Sequence, residues 1–216
     1  MDCVQNHPKG QEIANSITHG VGIILSVVGL VVLVVLASLH GTVWHVVSFS
    51  IYGTSLVLLY TSSTLYHSFQ SPRVKRVFHI IDHSSIYLLI AGSYTPFVLV
   101  NLRGGWGWSL FGIVWGIALA GIVVKTFFTG RFKIASTILY LLMGWMIVVA
   151  IKPLAHAMPM GGIAWLLAGG LAYTAGAVFY LWKNLPYHHA IWHLFVLAAS
   201  ICHYFAILLY VLPARV

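Results

Sequence analysis

His189 and His193 stand four residues apart in a run apolar enough to cross a bilayer. On a helix that spacing puts both imidazoles on one face, about 40° apart around the axis, with Cβ atoms roughly 5–6 Å apart. Two imidazoles so placed can hold one metal ion. His188 lies five residues before His193, about 140° round the helix, and reads as an interfacial or loop residue. His203 lies about 15 Å further along, too far for the same ion, and reads as a separate polar contact between helices.

A third ligand has to come from another segment. The stretch "YTSSTLYHS" ends with Ser63 and His67 on one helical face, and "FHIIDHSS" opens the next segment with His79, Asp82, His83 and Ser85. Near the start of the chain Glu12, Asn15, Ser16 and His19 recur at i, i+3, i+4 and i+7, a polar stripe on one side of a helix. Three neutral imidazoles, His67, His189 and His193, leave a fourth tetrahedral position for water, the arrangement of a catalytic zinc site. Softness and geometry favour Zn2+ while leaving iron, cobalt and nickel open. Asp82 is then placed to hold or deprotonate the water, and Ser63 to donate to it or to a developing oxyanion. Glu12, Asn15, Ser16 and His19 are natural supports for the ligands. Two blander roles stand beside these. Glu12 is also what a first helical turn favours, and a serine inside a span commonly bonds its own backbone. His7, His40, His45 and His156, near ends or in loops, are assigned nothing specific.

The elements that must position these groups are membrane helices. Of 216 residues, 60% are hydrophobic and 6% charged, with a mean hydropathy of +0.95; a soluble surface needs roughly 25% charged residues. Seven runs near the 20 residues that span a bilayer lie at about 13–39, 43–66, 77–100, 107–127, 134–152, 162–182 and 189–212. The expected fold is all-α, one seven-transmembrane helix bundle over 1–216 with a short polar leader at 1–12. No cleavage site follows the leader, so the first span is expected to remain. Pro96 should kink the third span. Trp106, Trp108, Trp165, Trp182 and Trp192 fall near run ends, where indole favours the interface.

Lys9, Arg73, Lys75, Arg76, Lys125, Arg131, Lys133 and Lys183 fall on one side of the membrane; Arg103, Lys152 and Arg215 fall on the other. That imbalance predicts a cytoplasmic N-terminus, an outside C-terminus and a site at the inner leaflet of the plasma membrane. The net charge of +8 is scattered along the chain, which argues against nucleic acid as a partner; membrane lipids are the partners expected, and no soluble one is predicted. Cys3 and Cys202 are too far apart in the predicted topology to pair. The first, second, third and seventh spans carry the polar groups, and the fourth to sixth read as scaffold.

Glu12 with "NSITHG", "SxxxH" at Ser63 to His67, Asp82, and "HxxxH" at His189 to His193 resemble the motifs of the progestin and adiponectin receptor family. Its bacterial branch is the hemolysin III proteins, and its wider superfamily includes alkaline ceramidases. The resemblance covers nearly the whole chain. It implies His67, His189 and His193 as zinc ligands with Asp82 and Ser63 beside the metal's water, and lipid amide hydrolysis for some relatives. For bacterial members it implies membrane homeostasis, and the hemolysin label implies lysis of red cells for some. The long soluble region that precedes the bundle in the animal receptors has no counterpart in this sequence, so hormone recognition is not carried over. Three functions follow. The first is a zinc-dependent hydrolase of lipid amide or ester bonds, with a lipid sensor using structural zinc as its neighbour. The second is a hemolysin III-type cytolysin or pore, which would need polar residues through the whole bilayer depth. The third is a proton-coupled transporter, which would need midplane charges or broken helices.

Overall fold

Seven helical spans account for the chain in the computed structural model, which describes residues 8–128 and 130–212. Asp2, Cys3, His7 and Arg215 lie outside the described residues. Helix α1 runs Lys9–His40, α2 Val43–Ser68, α3 Pro72–Pro96 and α4 Gly105–Phe128. The fifth span is α5 Lys133–Trp145, a 3-10 segment Met146–Ala150, and α6 Ile151–Ala157; α7 is Met160–Leu181 and α8 His188–Tyr210. The described residues contain no strand. Helix α1 starts four residues before the predicted run, which makes Glu12 part of its first turn and not of a leader.

The third span is the hub. Buried residues make up 78% of its apolar window, against 17% for the fifth span, so α3 is walled in by protein while the fifth span is walled mostly by lipid. Pro96 lacks an N–H, and the chain after it winds as a π-helix, Phe97–Asn101, closed by Leu102 N–H donating to the Phe97 carbonyl at 2.9 Å. The expected disturbance is therefore a change of winding.

The fifth span departs from the expectation. The predicted run ends at about 152, yet helix continues to Ala157. The cause of the interruption before it is Pro153, which cannot donate to the Val149 carbonyl and crowds that turn. At the start of the 3-10 segment the backbone is met by Tyr94 on α3: its hydroxyl donates toward the Met143 and Gly144 carbonyls at 2.9 and 2.7 Å and accepts from Ile147 N–H at 2.8 Å. Backbone left open in an apolar medium has to find such partners.

His45 also corrects the sequence reading. It is buried, and its Nδ1 accepts the Thr42 N–H at 3.0 Å, capping α2. Its Nε2–H donates to the Val211 carbonyl at 3.2 Å, beyond the last turn of α8. Trp106, Trp108 and Trp182 are half exposed near helix ends, as an interfacial belt requires. Trp192, near the start of α8, packs against Tyr180 and over Gly176, where a methyl group would overlap the indole.

Replacing His45 with Ala removes the cap and the tie to α8 together. The expected result is a loss of about 1–3 kcal/mol of stability, seen as a lower melting temperature in detergent, with metal content unchanged.

Candidate metal centre

Helices α2 and α8 bring His67, His189 and His193 to one point. Each offers a ring nitrogen, all within 4.8 Å of one another; ring centroids are 5.0 Å apart for His67 and His189, 5.2 Å for His67 and His193, and 4.6 Å for His189 and His193. All three residues are buried. Nitrogens sharing one ion at about 2.0–2.1 Å in a tetrahedron stand roughly 3.3 Å apart, so small rotamer adjustments close the group on a cation. The sequence expectation of two ligands from one helix face and one from another matches this geometry.

Helix α1 orients two of the three rings. Glu12 Oε2 accepts from His67 Nδ1–H at 2.6 Å, which leaves His67 Nε2 with the lone pair. His193 Nδ1–H donates to the Asn15 carbonyl and to Thr18 Oγ1, each at 3.2 Å, leaving Nε2 as its lone-pair nitrogen. Both tautomers follow from these networks. The Asn15 side-chain amide lies 3.4 Å from His67 Nδ1. The donor set of buried neutral imidazoles, two of them oriented through their far nitrogens, fits a borderline divalent metal such as zinc.

Glu12 is shared. Its second oxygen accepts from Lys75 Nζ on α3 at 2.5 Å, and both residues are buried. The sequence reading used Lys75 only to orient the protein and missed this pairing. The available signal was arithmetic: a chain with three acids that places Glu12 in a span requires a cation for it. Lys125, in the last turn of α4, is likewise buried.

Ser62 and Ser85 bond their own helices, to the Leu59 carbonyl at 3.0 Å and the Asp82 carbonyl at 2.7 Å. The hydroxyls of Ser63, Thr64 and Ser84 have no partner among the described residues, and of these three Ser63 is the one that lines the cavity beside the histidines. Ser63 is 1% exposed. Asp82 lies against His83, with Oδ2 3.3 Å from Nδ1. Ser63, Asp82, His19, His189 and His193 together form the polar end of a cavity of about 370 Å³; His67 does not line it. The other walls are mostly apolar and aromatic faces of α3, the fifth span, α7 and α8, including Leu89, Phe97, Tyr140, Trp145 and Leu166, with Ser93, Thr137, Thr174 and His203 among them.

Some expected residues lie elsewhere. Ser16 points away and pairs with Ser68 at 2.7 Å on an exposed edge. His203 is remote from the triad, packing edge-on to Tyr173 at 5.5 Å on the far part of the same cavity. His188 does point away from His193, but it is buried, not interfacial, with Nδ1–H donating to the Phe179 carbonyl at 3.3 Å. The scaffold spans also contribute more than expected: Tyr140 on α5 donates to the His83 carbonyl at 3.1 Å and holds the α3 segment that carries Asp82.

The family described as haemolysin-III related matches residues 8–204. The hemolysin-3 of Bacillus cereus is 55% identical over 203 residues, covering 94% of this chain and 93% of the relative. The hemolysin-3 homolog of Bacillus subtilis (strain 168) is 50% identical over 200 residues, covering 93% and 94%. The human monocyte to macrophage differentiation factor is 31% identical over 200 residues, covering 90% of this chain and 82% of its own length.

Two outcomes test the role of α1. Glu12→Gln should weaken divalent-metal affinity about 10–100-fold, measured by competition with a chelating indicator. Lys75→Met leaves a buried carboxylate without its cation and should cost about 3–5 kcal/mol of stability, whereas Glu12→Gln combined with Lys75→Met should be milder than Lys75→Met alone.

Proposed function

The chain belongs to the haemolysin-III-related family, and within it we propose that this protein is a zinc-dependent membrane hydrolase cleaving amide or ester bonds of lipids. The observation that carries this reading is the juxtaposition of a buried three-histidine group with Asp82 and with Ser63, whose hydroxyl has no partner among the described residues, at the more polar end of a mostly apolar cavity that His189 and His193 line. A cavity of that kind suits a lipid whose chain fills the apolar part and whose carbonyl reaches the histidines.

His67, His189 and His193 would hold the ion, which when bound supplies Lewis acidity toward water and toward a carbonyl. The chain's own groups do the rest. Asp82 accepts a proton from the water whose oxygen adds to the acyl carbon. As the carbon–nitrogen or carbon–oxygen bond breaks, the same carboxyl returns that proton to the departing amine or alcohol, leaving the fatty acid. Ser63 donates its hydroxyl hydrogen to the oxygen on which charge develops. The apolar walls exclude bulk water, so these few hydrogen bonds act in a low dielectric. With the basic residues counted by side, the site belongs at the cytoplasmic leaflet of the plasma membrane, where substrate enters sideways from the bilayer.

The names of the bacterial relatives suggest cytolysis as a second reading. Against a water-filled path through one chain, buried hydroxyls toward the other end of the bundle are spent on their own helices. Ser48 donates to the His45 carbonyl, Ser55 to that of Tyr52 and Thr95 to that of Ala91. A lipid sensor holding structural zinc is separated from the hydrolase by turnover.

Purified protein should hold one equivalent of metal, and the His189→Ala, His193→Ala pair should hold none; elemental analysis decides. Zinc-loaded protein incubated with ceramides and phospholipids should release fatty acid. Asp82→Asn should keep its metal and lose about 10²–10⁴-fold in rate, and Ser63→Ala about 10²–10³-fold. No release across the panel by the metal-loaded wild type would leave the sensor reading in place of the hydrolase.

A further inference from the structure

His19 is used by none of the steps above. It is 3% exposed, lines the cavity, and neither of its ring nitrogens has a hydrogen-bond partner among the described residues. An imidazole buried with both nitrogens unanswered costs about 1–3 kcal/mol per group, so a group placed so on a cavity wall points to a ligand.

The packing decides which kind of ligand. The His19 ring is stacked on that of His193, centroids 3.5 Å apart and planes within 11°. Ring-nitrogen lone pairs lie in the ring plane, so two parallel rings direct theirs side by side and not at a common point. His19 is thereby kept off the ion that His193 would hold, and it is absent from the three-histidine group. On its other side Tyr60 stands edge-on at 5.0 Å and 83°, and Tyr60 is seated over Gly22, where any Cβ would overlap its ring. Two aromatic contacts thus fix the plane of His19 without using either nitrogen. The result is a preoriented donor one ring thickness from the ligand layer, at the polar end of an apolar cavity.

We propose that His19 is a substrate-binding residue whose ring N–H donates a hydrogen bond to the acyl carbonyl oxygen of a long-chain lipid amide or ester lodged in this cavity. The inference rests on the lipid reading of the site but not on turnover. A neutral imidazole has one donor nitrogen and one acceptor nitrogen. The donor selects a carbonyl over a bare chain.

The test uses zinc-loaded protein in nanodiscs, with hexadecanamide and hexadecane as probes. Occupancy is followed through tryptophan fluorescence, since Trp145 and Trp192 are on the cavity wall. His19→Phe, which keeps a stacked ring and loses the donor, should bind hexadecanamide about tenfold more weakly than wild type while binding hexadecane equally and retaining its metal. His19→Gln, which restores an N–H, should recover most of that affinity. Unchanged amide affinity in His19→Phe, equal losses for amide and alkane, no hexadecanamide binding by the wild type, or loss of metal alongside affinity would each overturn the proposal. Absence of hydrolysis with a His19-dependent amide affinity would instead overturn the hydrolase reading and leave this one standing.

Discussion

A carboxylate inside a helix bundle is tolerable only when its charge and its lone pairs are answered, and Glu12 has both answers at once. Lys75 meets one oxygen at 2.5 Å and His67 the other at 2.6 Å. Since the three residues lie on α1, α3 and α2, one side chain ties three helices at the depth of the site. Removing any partner leaves a buried charge or an unoriented ring, so the arrangement stands or falls as a unit. This makes the bundle's polar end specific: α1 cannot slide or rotate relative to α2 and α3 without breaking a charged hydrogen bond in a medium that offers no replacement. The same helix then orients His193 through the Asn15 carbonyl and Thr18.

The rest of the molecule suits a site whose polarity is concentrated at one end. Away from the triad, hydroxyls turn back to their own helices and Tyr94 meets the backbone where the 3-10 segment of the fifth span begins. The cavity is mostly apolar. Its polar groups, with His203 and Thr174 standing apart on its far part, are concentrated at the end near the histidines. Ser63, Asp82 and His19 share that end with His189 and His193. With little competing polarity along the walls, the orientation of an amphiphile is set by where its head can bond.

Much of this was legible in the residues. Seven spans, their number and approximate ends follow from apolar run length, and the histidine pair at i, i+4 with His67 follows from helical geometry. Ser63 differs from Ser62 in ways no periodicity reveals, because both are serines on one helix and only the neighbouring helices decide which hydroxyl is left over. Lys75 was legible as a charge but not as a partner: its pairing joins residues 63 positions apart, and such a contact is settled by how α1 and α3 pack. Ser16 was misjudged because it shares a broad face with Asn15 and Glu12 while standing at its edge, next to Ser68. The fifth span was cut short because Pro153 reads as an end; Tyr94, far away in sequence, meets the backbone at the start of the 3-10 segment. His45 looked idle because its partner, the Val211 carbonyl, belongs to the backbone and has no residue signature.

That contact of His45 with the end of α8 has a mechanical consequence. Helices α2 and α8 carry the three histidines near one pair of ends, and at the other pair the His45 ring bonds past the last turn of α8. The His45 contact ties the two helices at the end away from the histidines, and an ion held by His67, His189 and His193 would tie them at the other. A thinner or thicker bilayer would then have less purchase on the distance between His67 and His193. The accommodation of hydrophobic mismatch falls instead on the lipid-walled fifth span, already jointed at Met146–Ala150.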